Sequence, residues 1–160
     1  MGGYAPRARG DSVRPRRLVG ASGRPLNFTV RTCVHPVLRF RASVLDVSRE
    51  RQNPISPIHG ESLLRWIAER WSGASPVSEP APEDWGWYAH VSWDGKRYML
   101  GASCSDAPSG ERDWVLQIVK FRTVGERLLG RNKMAKDDRC LREVLRLLET
   151  EPAFHDVTLV

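Results

Sequence analysis

Trp85-Gly86-Trp87-Tyr88-Ala89-His90-Val91-Ser92-Trp93-Asp94-Gly95-Lys96-Arg97-Tyr98-Met99-Leu100-Gly101-Ala102-Ser103-Cys104 is the stretch whose reading decides the fold. Trp85, Trp87, Ala89, Val91 and Trp93 alternate with Gly86, Tyr88, His90 and Ser92, the period-two pattern of a strand with one buried face. Asp94-Gly95 then supplies a two-residue turn of type I′, in which both residues need positive φ. Tyr98, Leu100 and Ala102 continue the pattern on the return strand. The segment predicts an antiparallel hairpin. A turn containing Asp106, Pro108 and Gly110 leads to a third strand over Trp114 to Phe121, which makes the hairpin a meander.

Upstream, Leu26, Phe28 and Val30 alternate with polar neighbours. After His35-Pro36, so do Leu38, Phe40, Ala42 and Val44, giving two further strands. Ser48 to Gly60 is polar, carries Pro54 and Pro57, and reads as a long loop. Glu61 to Trp71 places Leu63, Leu64, Ile67, Ala68 and Trp71 on one helical face and stops at Ser72-Gly73. Ser75 to Glu83, with Pro76, Pro80 and Pro82, reads as a stiff connector. In Thr123 to Lys136, Arg127-Leu128-Leu129-Gly130 suggests one helical turn ended by glycine. A loop, Arg131 to Lys136, follows. Asp138 to Glu149 forms the second clear helix, with Asp137 as N-cap and Leu141, Val144, Leu145 and Leu148 as its stripe. Phe154 to Val160 closes the chain as a short strand.

The order ββ-α-βββ-α-β predicts an α+β two-layer sandwich: a mainly antiparallel sheet covered by two helices. At 160 residues the chain suits a single such domain over residues 25–160. The net charge of +6 is uneven, because residues 1–24 hold six arginines against Asp11 and account for +5 of it. That segment reads as a basic, disordered tail, poor in apolar residues. It has no apolar run of signal-peptide length, and nothing elsewhere approaches the ~20 apolar residues of a membrane span. A cytoplasmic protein without a membrane partner is expected.

Catalytic and metal motifs are not found. Cys33, Cys104 and Cys140 are far apart, with no C-x-x-C, and His35, His59, His90 and His155 are scattered singly. Clustered ligand spacings for zinc are missing, and neither metal nor cofactor is expected. No phosphate-cradle motif occurs, and Gly101-Ala102-Ser103-Cys104-Ser105 reads as the end of a strand rather than a nucleophile elbow. A lone strand histidine such as His90 is more often structural than catalytic, so the chain reads as a non-enzyme.

Two features remain. All six tryptophans fall between Trp66 and Trp114. Trp85, Trp87 and Trp93, sharing one strand face, are core residues by their alternation and otherwise a stacking platform or peptide groove. The stretch Lys120 to Arg139 is basic, and Arg127, Arg131, Lys133 and Lys136 approach a helix N-terminus, as an anion-binding site would. A solvated loop competes with that reading, since Asp137 and Asp138 already supply negative charge. The expectation is a protein-interaction domain (adaptor, inhibitor or immunity-like). Nucleic-acid or other polyanion binding through the tail and the 131–136 loop is the alternative.

Overall fold

The computed structural model describes residues 35–106 and 111–160. The predicted tail, the strand at Leu26–Arg31 and the turn residues Pro108 and Gly110 lie outside them. Cys33–Val160 forms one compact unit.

The hairpin forms as the alternation requires. Strands β3 (Gly86–Trp93) and β4 (Lys96–Asp106) pair antiparallel from Trp93↔Lys96 to Trp87↔Ala102. Asp94 and Gly95 take φ of 48° and 69°, the positive values a type I′ turn demands. β5 (Arg112–Lys120) extends the meander. β1 (Val37–Ala42) lies between β5 and β6 (Phe154–Leu159), antiparallel to both. The end of the connector forms a short edge strand, β2 (Ala81–Glu83), where the sequence suggested no strand. Pro82 is tolerated there because an edge strand need not donate on its outer side. The sheet order is β2-β3-β4-β5-β1-β6, wholly antiparallel.

Helices α1 (Glu61–Arg70) and α3 (Arg139–Glu149) cover one face, which completes the predicted α+β two-layer arrangement. The core joins Leu38, Phe40, Leu100, Leu116 and Ile118 of the sheet to Leu63, Ile67, Leu141, Val144 and Leu148 of the helices. Burying side chains of this kind contributes about 1.5–3 kcal/mol each. Phe154 of β6 packs its ring 4.8 Å from Phe40 and 4.7 Å from Trp66, tying the last strand to α1. On α1 it is Trp66, not Ala68, that faces inward, because positions 63, 66 and 67 follow the i, i+3, i+4 spacing of one stripe. Asp138 caps α3 in place of Asp137. Its carboxylate accepts from the Cys140 backbone N–H at 3.0 Å and from Lys120 Nζ at 2.7 Å.

The other face of the sheet presents Tyr88, His90, Met99, Gln117 and Val119, all half-buried, and carries no helix among the described residues.

Candidate functional site

Between β5 and α3 the chain makes an excursion over residues 122–136. Its centre is α2 (Val124–Leu128), which starts three residues earlier than the single turn expected at Arg127. The reason is local chemistry. Thr123 Oγ1 accepts from the Glu126 backbone N–H at 3.2 Å, and the Glu126 carboxylate accepts from the Thr123 N–H at 2.9 Å, a complete capping box. Gly130 ends the helix at φ 64°, in the left-handed conformation that glycine adopts without strain. The Arg131 N–H then bonds back to the Glu126 carbonyl at 2.8 Å.

Glu126 also accepts from Lys96 Nζ at 3.1 Å and from the Asn132 side-chain amide. These bonds, led by the Thr123 N–H, hold its carboxyl at about 2, so it stays ionised across the physiological range. Its charge is thus turned inward and neutralised by β4. On the outside, Val124, Leu128 and Leu129 are 73%, 83% and 67% exposed. Arg127, Arg131 and Lys133 are exposed too, and among the described residues no acid pairs with them or with Lys136. The excursion is a braced knuckle with an aliphatic tip and a cationic surround.

Of the four sequence-predicted basic residues, Arg127 lies on α2 and Arg131 and Lys133 follow its C-terminal end, while Lys136 stands nearer the start of α3. At that start the place of an external anion is taken by Asp138, held by Lys120, by the Cys140 N–H and by the Tyr98 hydroxyl donating at 3.3 Å. Lys136 stands at the lip of a shallow apolar depression of about 320 Å³, lined by Pro36, Met134, Leu141 and Leu159.

The three tryptophans are not brought together. Trp87 is 2% exposed on the core side, with the Arg51 guanidinium 5.2 Å from its ring centroid. Trp93 packs edge-on against Trp71 at the margin of the core. Trp85 leaves that face altogether. It sits in the two-residue turn between β2 and β3, and its ring covers Gly101 on the helix-free side, where a Cβ would lie 2.7 Å from the indole. Gly86 makes this possible with φ 143° and a backbone so close to β4 that a Cβ would lie 2.3 Å from the Ala102 carbonyl oxygen. The alternation that puts Trp85 with Trp87 is broken at that glycine.

The two described thiols and the Tyr98 hydroxyl sit where burial favours their protonated forms. Burial pushes the Cys104 thiol up to about 11, with Glu50 adding to it, and burial together with Asp138 pushes Cys140 up to about 12. Burial raises Tyr98 as well, followed by the charge of Asp138. The His90 ring lies between Tyr88 and Phe121, at 5.4 and 5.6 Å, rather than beside a carboxylate. Among the described residues no group of three His, Cys, Asp or Glu side chains is placed to hold a metal ion, and no helix is long and apolar enough to cross a membrane.

Sequence reasoning passed over Val124, Leu128 and Leu129. The signal available was the Thr123-x-x-Glu126 spacing, which announces a capped helix start. Nothing local announces that the aliphatic residues beyond it face solvent. No family model, curated protein or solved structure matches this chain.

Proposed function

We propose that this chain is a non-catalytic protein-interaction domain, acting in the cytoplasm on a protein partner and not on a membrane. The observation that carries the reading is the solvent-facing Val124–Leu128–Leu129 tip on a turn that its own hydrogen bonds and one from Lys96 hold in shape. Three large aliphatic side chains this exposed stabilise nothing within the fold, and a fixed shape lowers the ordering cost of association. A photoreactive amino acid placed at position 128 tests the reading in a native lysate, with the exposed Ala68 of α1 as control site. A discrete cross-linked species is expected at 128 and not at 68, and equal labelling at both sites would sink it.

A second reading, polyanion binding, rests on the exposed and acid-free Arg127, Arg131, Lys133 and Lys136. Its test is oligonucleotide affinity with and without residues 1–24. Retention of a salt-dependent affinity after deletion places the contact on the folded unit, and complete loss makes it a generic effect of the six tail arginines.

A further inference from the structure

We infer that the partner of the knuckle is an acidic protein segment with an apolar seat for Leu128 and Leu129, an inference that rests on the interaction-domain reading and specifies its partner. Three features of the same fifteen residues, 122–136, point there. The first is charge. Arg122, Arg127, Arg131, Lys133 and Lys136 are set against a single acid, Glu126, whose carboxylate is already engaged by Lys96, Asn132 and the Thr123 N–H. The outward field is therefore positive, and carboxylates are the complementary protein groups.

The second is shape. Val124 and Leu128 stand one turn apart on α2, and Leu129 follows at the cap, so the aliphatic groups form a convex tip rather than a groove. A convex apolar tip is desolvated only by a surface that offers a depression. A phosphate backbone has none, and residues 122–136 hold no aromatic side chain on which a base could stack. The same lack of Trp and Tyr disfavours a lipid headgroup layer, where such rings anchor proteins.

The third is rigidity. The capping box, the Lys96–Glu126 pair, the Arg131-to-Glu126 backbone bond and the left-handed Gly130 fix the tip before any partner arrives. Half-buried Met134, packed against the core, anchors the outgoing limb. In this arrangement the cations steer the encounter and set its salt dependence, and the leucines set how long the complex lasts.

The test is a phage-displayed library of random peptides selected against the immobilised full chain. Parallel selections use L128D/L129D and R127E/R131E. The tail arginines are present in all three proteins, so generic attraction to acids is common to them. Enrichment on the wild type of peptides combining Asp or Glu with aliphatic or aromatic residues is expected. A synthetic copy of the leading peptide should lose about tenfold or more in affinity on each variant, and weaken with added salt. Both variants should melt at the wild-type temperature, and L128S/L129S replaces the aspartates if they do not.

Peptides that bind all variants equally overturn the inference while leaving the interaction-domain reading standing. Loss on R127E/R131E alone, with an oligonucleotide behaving in the same way, overturns it in favour of phosphate. Leucine-dependent sedimentation with phosphatidylserine vesicles overturns it in favour of lipid. Failure of any peptide to enrich overturns the inference and counts against the interaction domain as well.

Discussion

Two long excursions leave the sheet, and they use the same devices in opposite directions. The first, residues 43–60, leads from β1 into α1. The second, residues 122–136, leads from β5 to α3. Each is organised by carboxylates that collect hydrogen bonds. At the first, Glu50 and, on the opening residue of α1, Glu61 have side chains only 1% exposed. Glu50 accepts from the Gly60 N–H at 3.0 Å, from the Ser62 N–H at 2.8 Å and from the Ser62 hydroxyl at 2.6 Å, so it supplies the negative charge that the start of α1 favours. Glu61 accepts from the Arg51 N–H at 2.7 Å, from Arg51 Nε at 2.6 Å and from Arg65 at 2.8 Å. In the second, Glu126 does the equivalent work, partly exposed.

The apolar residues differ more. Leu45 and Val47 of the first excursion point into the core while Val44 and Ile55 are 54% and 56% exposed, whereas Val124, Leu128 and Leu129 of the second all point away from it. Bracing alone therefore does not mark a functional loop. What sets the second apart is that its valine and both its leucines face outward on one short helix and its cap, with none packed into the core.

The sharpest break of the comparison is to truncate one leucine from each excursion. Leu45→Ala should cost about 2–4 kcal/mol in urea denaturation, as expected of a buried leucine. Leu128→Ala should stay within about 0.5 kcal/mol of wild type. Equal costs would mean that the tip is structural.

Removing the carboxylates comes next. Glu61→Ala should lose about 2–3 kcal/mol, below the loss for a fully buried ion pair because Arg51 and Arg65 are half-exposed. Measured in the same assay, Glu126→Gln should lose clearly less than Glu61→Ala, since Glu126 and its partners stay solvated.

Acid titration separates the two sites by range, since both carboxyls are held below their usual value. Burial raises the Glu61 carboxyl, but the Arg51 N–H and the Arg65 and Arg51 side chains outweigh it and hold the group below its usual value of 4.5. A depressed folded pKa stabilises the protein fully above the unfolded value and loses that contribution as the pH falls through the folded one. Stability should therefore decline below about 4.5, with a shallower decline in Glu61→Gln. Glu126, held at about 2, should stay ionised to lower pH, so the part of the acid decline that it contributes should extend to about 2 and be missing in Glu126→Gln. The smallest effect is on the tip: Leu129→Ser should leave the melting temperature unchanged and alter only partner binding.

Much of this architecture was legible without coordinates. The β3–β4 hairpin rests on alternation and on Asp94-Gly95, both local, and α1 and α3 rest on stripes at helical spacing. Several features were not legible. The edge strand β2 needed the neighbouring β3, since Pro80 and Pro82 argue against a strand on their own. Asp138 rather than Asp137 caps α3 because Lys120 and Tyr98, from other strands, reach only Asp138. The candidate site was half legible: Arg127, Arg131, Lys133 and Lys136 stand out as charges, while Leu128 and Leu129 look like any aliphatic pair awaiting a core.

By itself, then, the sequence determined what short-range forces decide: which segments are strands or helices, which face of each is apolar, where the tight turn falls, and the concentration of charge in residues 1–24. Only the tertiary structure decided which strands become neighbours, placing β1 between β5 and β6, and which side of Gly86 Trp85 would occupy. It alone turned Glu126 inward toward Lys96 and left three aliphatic side chains facing water. The reason is that periodicity and turn chemistry act over a few residues. Burial and ion pairing depend on distant segments that meet only once the chain has closed.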